Sequence, residues 1–86
     1  MPSQEFQTAA DQAQAFTKKP TNDELLQLYA LFKQATIGDN TTPAPGTFDF
    51  KGKAKWNAWK KLEGTSQEDA EKQYIEFVEK LSATYK

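Results

Sequence analysis

The sequence predicts an all-α protein, a small four-helix bundle formed by a single domain over residues 1–86. Four segments place apolar residues at the spacing of one helix face, and none has the alternating pattern of a strand. Three breaks separate these segments, and only the second, residues 39–47, is long. A long connection can cross the length of a helix, so the helices that it joins need not form an antiparallel hairpin.

The first predicted helix runs from about Ser3 to Phe16. Ser3 is a good amino-terminal cap, and Glu5 lies in the first turn, where the helix dipole favours an anion. The apolar face consists mostly of small side chains: Phe6, Ala9, Ala10, Ala13 and Phe16. Because alanine lets another body approach closely, we interpret this face as a tight contact with another helix.

The second helix has clear signals at both ends. Pro20 disfavours helix for the residue before it, and Thr21 to Glu24 match a capping box. The helix should end near Ile37, because Gly38 is placed to adopt the left-handed conformation that terminates helices.

This second helix has more apolar positions than one buried face requires. They cover an arc of roughly 220°, whereas an ordinary surface helix needs a stripe a little over 100° wide. Only Gln27, Gln34 and the adjacent Ala30 form a clear solvent face. The helix therefore either packs on two sides, or packs on one side and lines a groove with the other.

Tyr29, Phe32 and Lys33 lie at the edge of that arc. Their spacing of i, i+3 and i+4 makes them neighbours on the helix surface. Two aromatic rings beside a cation can receive a flat ring and a phosphate. The alternative interpretation is that the two rings belong to the core and that Lys33 is a charge at its rim.

The third helix is expected from Asp49 or Phe50 to Glu63, where Gly64 ends it. One face carries a seam of large apolar side chains: Trp56, Trp59 and Leu62. Tryptophan is usually highly buried, so this seam predicts packing.

The start of the third helix is basic. Lys51, Lys53 and Lys55 fall within five residues, and no acidic residue occurs between Lys51 and Lys61. A helix amino terminus and lysines both favour phosphate, so this segment is a candidate anion site. The alternative is a solvated lysine face.

A second capping box, Thr65 to Glu68, is expected to begin the fourth helix. Its apolar residues form a regular stripe that predicts core packing: Ala70, Tyr74, Phe77, Val78, Leu81 and Tyr85. Tyr74 lies near the start of that stripe, where its ring can pack while its hydroxyl reaches a polar partner.

Composition argues against several classes of function. The chain has no cysteine and no histidine, which removes disulfides, thiolates, the usual general base and the commonest metal ligand. We therefore expect no catalytic residues and no metal site. A net charge of −1 is unlike that of a nucleic-acid-binding domain. The sequence has no secretory signal and no apolar run of about 18 residues, so we expect a cytoplasmic protein without stable membrane insertion.

Taken in order and at matching spacing, several pieces of the sequence closely resemble the acyl-CoA-binding protein family. The resemblance covers nearly the whole chain. The most specific pieces are Tyr29–Thr36 (YALFKQAT), Gly38-Asp39, Pro45-Gly46, Phe48–Trp56 (FDFKGKAKW), Ala58-Trp59, Gly64–Ser66 (GTS), Glu68–Ala70 (EDA) and Tyr74-Ile75.

The resemblance implies an up-down-down-up four-helix bundle that binds long-chain fatty acyl-CoA. It implies a monomeric carrier and pool buffer, with no cofactor, that passes its ligand transiently to acyl-CoA-using enzymes and is not itself an enzyme. The family positions that hold the nucleotide end of the ligand correspond here to Tyr29, Phe32, Lys33, Lys55 and Tyr74. Lys51 matches a position that also contacts ligand in family members. The positions that line the acyl groove correspond to Ala9, Leu25 and Leu26.

Two ligand-binding positions depart from the family pattern. Phe32 stands where many members have tyrosine, so stacking on adenine is retained while a hydroxyl is lost. Gln14 stands where many members have a lysine, so one positive charge near the head group is missing. Lys18 and Lys19 are candidates to compensate for that charge.

Two other functions compete with acyl-CoA binding. The first is an enzyme that acts on acyl-CoA, such as a hydrolase, although no serine lies in the setting of a nucleophile elbow. The second is a helical interaction module that binds protein or nucleic acid through the basic segment from Lys51 to Lys61. The chemistry of the ligand favours a carrier, because CoA needs lysines and ring faces while an acyl chain needs an apolar groove.

Overall fold

The computed structural model describes residues 3–85, which fold into four helices without a strand. The helices are α1 (Gln4–Gln14), α2 (Asn22–Thr36), α3 (Phe50–Lys60) and α4 (Gln67–Tyr85). Within the described residues α1 packs on α4, α4 on α2, and α2 on α3. The predicted all-α class is confirmed.

α1 and α4 run parallel, although they lie at opposite ends of the sequence. The backbone N–H of Ser3, the cap of α1, donates to Glu71 Oε1 early in α4 at 2.8 Å. Beyond the other end of α1, the N–H of Thr17 donates to the carbonyl of Tyr85, the last residue of α4, at 3.2 Å. Hydrogen bonds at both ends therefore align the two helices in the same direction.

α2 runs antiparallel to α4. The Tyr85 hydroxyl at the end of α4 donates to Glu24 Oε1 near the start of α2 at 2.6 Å. The Gln67 amide at the start of α4 donates to the carbonyl of Ala35 near the end of α2 at 3.2 Å. Each end of the α2–α4 pair is therefore closed by a side-chain hydrogen bond.

α2 and α3 run parallel. Lys55 Nζ lies 5.4 Å from the centre of the Tyr29 ring, and one turn further along both helices Lys33 Nζ lies 5.9 Å from the centre of the Trp59 ring. The predicted up-down-down-up arrangement is therefore confirmed. We call the end of the bundle where α1 and α4 finish and α2 and α3 begin the upper end, and the opposite end the lower end.

The connection of residues 37–49 runs from the lower end to the upper end, because α2 finishes at one and α3 begins at the other. Asn40 holds it against α3: this side chain is 1% exposed and donates to the carbonyl of Trp56 at 3.2 Å. Trp56 Nε1 donates in turn to the carbonyl of Thr42 at 3.0 Å. The long connection predicted from composition thus crosses the bundle along α3.

Several helix ends lie where the sequence predicts them. Ser3 Oγ accepts the N–H of Phe6 at 3.1 Å, and Thr21 and Glu24 form the reciprocal capping box that begins α2. Gly38 follows α2 with a φ of +102°, the left-handed conformation expected there. Local capping chemistry therefore decides these boundaries.

Two helices end earlier than predicted. α1 ends at Gln14 instead of Phe16, because the Phe16 ring packs from outside the helix against Tyr85, with ring centres 6.3 Å apart. α3 ends at Lys60 instead of Glu63, because the Glu63 N–H bonds to the carbonyl of Lys60 in a tighter turn.

The capping box predicted from Thr65 to Glu68 is wrong by one residue. Ser66 is the cap of α4, since its Oγ accepts the N–H of Asp69 at 3.1 Å. Thr65 lies outside the helix, and its carbonyl accepts a hydrogen bond from Gln34 Nε2 at 2.7 Å. A tertiary contact with α2 therefore competes with the local signal at this position.

The solvent face predicted for α2 is wrong for two of its three residues. Gln27 is exposed, whereas Ala30 is 3% exposed and Gln34 is completely buried. Ala54 and Ala58 of α3 face Ala30 across a narrow cleft on this side. α2 is therefore covered by α4 on one side and α3 on another, which accounts for its wide apolar arc.

The buried Gln34 is the centre of a hydrogen-bond network at the lower end, formed by Gln34, Asp39, Gly64 and Thr65, which we call the Gln34 network. Besides Thr65, Gln34 Nε2 bonds to Asp39 Oδ1 at 2.9 Å, and the same oxygen accepts the N–H of Gly64 at 3.0 Å. The Gly64 N–H, followed by the Gln34 amide, holds the pKa of the Asp39 carboxyl below its usual value. The network ties the end of α2 to the turn between α3 and α4.

The hydrophobic core lies between α1, α2 and α4 and contains Phe6, Ala9, Ala10, Leu28, Leu31, Ala35, Ala70, Tyr74, Val78 and Leu81. The predicted tight contact of the α1 alanines with another helix is confirmed, and the partner is α4. Trp59 on α3 is also buried, and its indole N–H donates to the carbonyl of Gly38 at 2.8 Å.

Candidate functional site

Parallel packing of α2 and α3 brings three of the predicted ligand-binding residues together. Two lysines lie close to the Tyr29 ring, with Lys33 Nζ 5.7 Å and Lys55 Nζ 5.4 Å from its centre. Lys33 Nζ is also 5.9 Å from the Trp59 ring. Cations near aromatic faces are held by the ring quadrupole, so two positive charges are concentrated around one ring.

Neither lysine is neutralised by an acidic side chain. The ion pair that the structure places in residues 3–85 joins Lys60 and Glu63 at 3.1 Å, and it involves neither Lys33 nor Lys55. Two ammonium groups without a carboxylate partner can bind an anion without first losing an internal salt bridge. This arrangement is what phosphate recognition requires.

Phe32 lies beside this pair and belongs to a second aromatic group. Its ring stacks on Phe6 at 5.6 Å with an interplanar angle of 28°, and lies 6.1 Å from Tyr74. Phe6 and Tyr74 are buried, at 1% and 4% exposure, whereas Phe32 is 38% exposed. Two buried rings therefore support a third whose free part faces outward.

Phe6 is a residue of this site that sequence reasoning missed. Its position predicts only membership of the apolar face of the first helix, and nothing local distinguishes a ring that packs on core from one that supports another ring. Its place in an otherwise alanine-rich face was the available signal.

Tyr74 combines a buried ring with a hydroxyl that lacks a partner within residues 3–85. Burial raises the pKa of this phenol, so the hydroxyl keeps its proton at neutral pH. Gln34 Oε1 is the fully enclosed polar side-chain atom of the described chain that has no hydrogen bond. The Tyr74 oxygen also has no hydrogen bond but is not fully enclosed, so it retains some access to solvent. Tyr74 therefore offers a donor to a ligand. We call Tyr29, Phe32, Lys33, Lys55 and Tyr74 the ring–lysine site.

A cleft of about 590 Å³ with apolar and polar lining residues lies between α2 and α3. Its apolar lining includes Leu26, Ala54, Ala58 and Leu62. Leu26 is one turn before Tyr29 and Ala54 directly precedes Lys55, although no residue of the ring–lysine site itself lines the cleft.

The three residues predicted to line the acyl groove do not share one surface. Leu26 lines the α2–α3 cleft, whereas Leu25 is half-buried against the core. Ala9 is 4% exposed and borders a separate cleft of about 220 Å³ between α1 and α4. Leu25 and Leu26 both lie about one turn before Tyr29 on α2, whereas Ala9 lies on α1.

Two further predicted residues lie apart. Lys51 is exposed, one turn before Lys55 on the same face of α3, where it extends the positive surface towards the upper end. Gln14 is exposed at the last position of α1, and it has no bond to the ring–lysine site within the described residues. Lys18 and Lys19 are exposed in the connection that follows.

The part of the chain that the structure describes has no cluster of three or more His, Cys, Asp or Glu placed to hold a metal ion. None of its helices has the length and apolar content needed to cross a bilayer.

A family model described as "Acyl CoA binding protein" matches residues 3–78. This chain is a member of the acyl-CoA-binding protein family. Over 85 residues it is 56% identical to the acyl-CoA-binding protein homolog of Drosophila melanogaster, covering 99% of both chains. Over 85 residues it is also 53% identical to the acyl-CoA-binding protein of Saccharomyces cerevisiae, covering 99% of this chain and 98% of the relative.

Solved structures of acyl-CoA-binding proteins have the same fold. The crystal structure of Oryza sativa acyl-CoA-binding protein 2 superposes with a TM-score of 0.86 at 44% identity, covering 90% of this chain and 84% of that one. The solution structure of the yeast protein gives 0.78 at 53% identity, covering 96% of each. The resemblance inferred from the sequence is confirmed, and these comparisons do not favour a helical interaction module.

Proposed function

We propose that this chain binds long-chain fatty acyl-CoA esters non-covalently and serves as their intracellular carrier and pool buffer. The observation that carries the proposal is the pair of unpaired lysines around the Tyr29 ring, on the two helices that also line a cleft containing Leu26, Ala54 and Leu62. A polyanionic nucleotide joined to an apolar chain matches both halves of this surface.

The ring–lysine site holds the nucleotide end of the ligand. Lys33 and Lys55 converge on the ribose 3′-phosphate, because their ammonium groups flank the same ring. Phe32 stacks on the adenine with its exposed part, supported from behind by Phe6. The Tyr74 hydroxyl donates to a phosphate oxygen, and Lys51 adds a positive charge to the same surface.

The acyl chain enters the α2–α3 cleft beside Leu26, while a role for Leu25 and Ala9 in enclosing it rests on the family resemblance. Each buried methylene contributes about 0.8 kcal/mol, and each charge-assisted hydrogen bond to phosphate roughly 1.5–3 kcal/mol. Chain length should therefore rival the phosphate contacts in setting affinity. The site thereby separates long-chain acyl-CoA from free CoA and from free fatty acid.

The two departures from the family pattern have different consequences. Phe32 keeps the ring face and lacks a hydroxyl, so stacking on the adenine remains. Gln14 is uncharged and exposed at the end of α1, so it contributes polar contact without the charge of a lysine.

The chain acts as one domain over residues 1–86 and as a cytoplasmic monomer. It has no catalytic step and no cofactor, and it donates acyl-CoA to enzymes by transient contact. Incubation with palmitoyl-CoA tests the absence of a catalytic step, because release of free CoA would identify a hydrolase.

Side-by-side calorimetric titration with palmitoyl-CoA, CoA and palmitate tests the binding proposal. We expect tight binding of palmitoyl-CoA and much weaker binding of the other two ligands. Equal affinity for CoA and palmitoyl-CoA would reduce the site to a nucleotide pocket.

Octanoyl-CoA sharpens the same experiment. It has eight methylenes fewer than palmitoyl-CoA, and complete burial of that difference contributes about 6 kcal/mol. Incomplete enclosure and ordering of the chain reduce the expected difference to a few kcal/mol. Indistinguishable affinities of the two esters would eliminate the cleft as the acyl site.

A further inference from the structure

A groove runs along the pair formed by α1 and α4. Two clefts of about 340 Å³ and 220 Å³ lie between these helices, and Gln12 and Glu79 line both of them. Each described lining residue belongs to α1, to α4 or to the two residues that follow α1. The two clefts therefore form one continuous surface, which we call the α1–α4 groove.

The α1–α4 groove has the length and the lining of a surface that binds a helix. It extends from Gln4, the first residue of α1, to Phe16 just after that helix, and a helix of 11 residues is about 16 Å long. Apolar side chains contribute to the lining, among them Ala15, Phe16 and Ile75. Both walls are helices, so the groove offers no strand edge to which an extended peptide could add.

The charged residues that line the groove are acidic. Glu5 and Glu79 are exposed, and neither takes part in the ion pair described within residues 3–85. α1 contains no basic residue, and Lys72 and Lys80 of α4 are not among the described residues that line the groove. Within the described chain, two carboxylates without a basic partner thus border an apolar lining.

We propose that the α1–α4 groove docks an amphipathic helix of a partner protein whose apolar face is bordered by lysine or arginine. The apolar face of such a helix fills the groove, and its cations meet the carboxylates of Glu5 and Glu79. A nucleic acid or an anionic lipid would instead bring phosphates towards these carboxylates. Charge complementarity therefore selects a basic protein segment as the occupant.

α1 keeps this groove apart from the ring–lysine site. Phe6 contacts Phe32 and Tyr74, whereas Thr8 and Gln12 line the groove. A docked partner therefore leaves the ring–lysine site uncovered. Docking is independent of the proposed ligand function, because it needs no bound acyl-CoA.

Amide NMR of the full chain, titrated with three synthetic peptides, tests this proposal. The first peptide is an amphipathic helix of leucine and lysine, the second has glutamate in place of lysine, and the third has serine in place of leucine. We expect only the first to bind, with chemical-shift changes centred on Thr8, Gln12, Ile75 and Glu79 and with weaker binding at higher salt. No binding of the first peptide, changes centred on α2 or α3, or equal binding of either other peptide would overturn the proposal.

Charge reversal locates the contact. The double variant Glu5→Lys with Glu79→Lys should weaken binding of the first peptide by about tenfold or more, because both carboxylates of the groove are replaced. The matched control is Asp11→Lys with Glu76→Lys, which makes the same change of charge on the same two helices at exposed residues outside the groove. The control should lose less than about threefold, because its charges lie further from the bound peptide. An equal loss in the control would attribute binding to general negative charge and contradict the groove.

Calorimetry with palmitoyl-CoA separates this result from the proposed ligand function. Both double variants should bind palmitoyl-CoA at least as tightly as the native protein, and circular dichroism verifies that they fold. Loss of both peptide and palmitoyl-CoA binding by the folded groove variant would contradict two separate sites. Sedimentation velocity without peptide should give a monomer. A dimer that the groove variant abolishes would assign the groove to a second copy of this chain and overturn the proposal.

Discussion

Lys33 and Gln34 are adjacent in the sequence, yet they belong to two regions that differ in hydrogen bonding: Gln34 bonds within the chain and Lys33 does not. The Gln34 network at the lower end uses its polar groups internally: the Gln34 amide bonds to both Asp39 and Thr65. In the ring–lysine site, Lys33, Lys55 and the Tyr74 hydroxyl have no hydrogen-bond or ion-pair partner among residues 3–85. Apart from the buried Gln34 Oε1, the polar groups of the Gln34 network are satisfied within the described residues, whereas those proposed to meet a ligand are not.

Substitution of Trp59 should produce the largest effect among the tests of this difference between the two regions. It is buried beside the Gln34 network, and a change to alanine should cost about 3–5 kcal/mol of stability. Chemical denaturation measures the loss as a lower midpoint. Trp56→Phe, at the more exposed tryptophan, is the control and should cost much less. A Trp59→Ala protein with a native midpoint but no affinity for palmitoyl-CoA would place this ring in the ligand site instead of the core.

Lys33 and Lys55 test the other side of the comparison. Each change to alanine should weaken palmitoyl-CoA binding by roughly 1.5–3 kcal/mol and leave the denaturation midpoint nearly unchanged. With the 3′-dephospho analogue each loss should be much smaller, because the shared partner is already missing. The same loss for both ligands would assign these lysines to another phosphate. Lys80→Ala on α4 should show neither loss nor coupling.

Gln34→Ala should have the reverse effect of Lys33→Ala. It removes two hydrogen bonds and should lower stability by about 1–2 kcal/mol, while palmitoyl-CoA affinity is retained below the transition. Denaturation and calorimetry on this pair of variants measure the separation of the two regions directly. A Gln34 variant with native stability and reduced affinity would erase the distinction.

The smallest expected effect is the contribution of the Asp39 carboxyl to stability, which changes only at acidic pH. The pKa of its carboxyl is lowered in the folded chain, so the stabilisation is present above its unfolded value of 3.8 and is lost as the pH falls through the folded value. Asp39→Asn removes this titration. Its denaturation midpoint should therefore fall less steeply in acid than that of the native protein. Parallel pH profiles of the two proteins would show that Asp39 does not couple folding to pH.

Local signals predicted most of the fold. The caps at Ser3 and Thr21, the terminating Gly38 and the long connection depend on residues close in sequence, and all are confirmed. The errors lie where distant residues decide. Gln34 is buried because Asp39 and the turn before α4 supply its partners, and no pattern within α2 contains that information.

The candidate site divides in the same way. The pair of Tyr29 and Lys33 follows from helical spacing, and the family resemblance added Lys55, which parallel packing of α3 brings to the same ring. The support of Phe32 by Phe6 depends on how α1 docks across the bundle, which periodicity does not specify. Roles for Gln14 and Ala9 remain predictions, because the described contacts do not join them to this site.

The packing of α1 on α4 also has a consequence for the order in which the protein is made. α1 leaves the ribosome first, but the helix on which it packs is completed last. Until α4 has been made, nothing covers the Phe6 ring, and Phe32 lacks the support of Tyr74. Because α4 also carries Tyr74, the aromatic part of the ligand site forms only after α4 has emerged. A nascent chain without α4 therefore lacks the native ligand site.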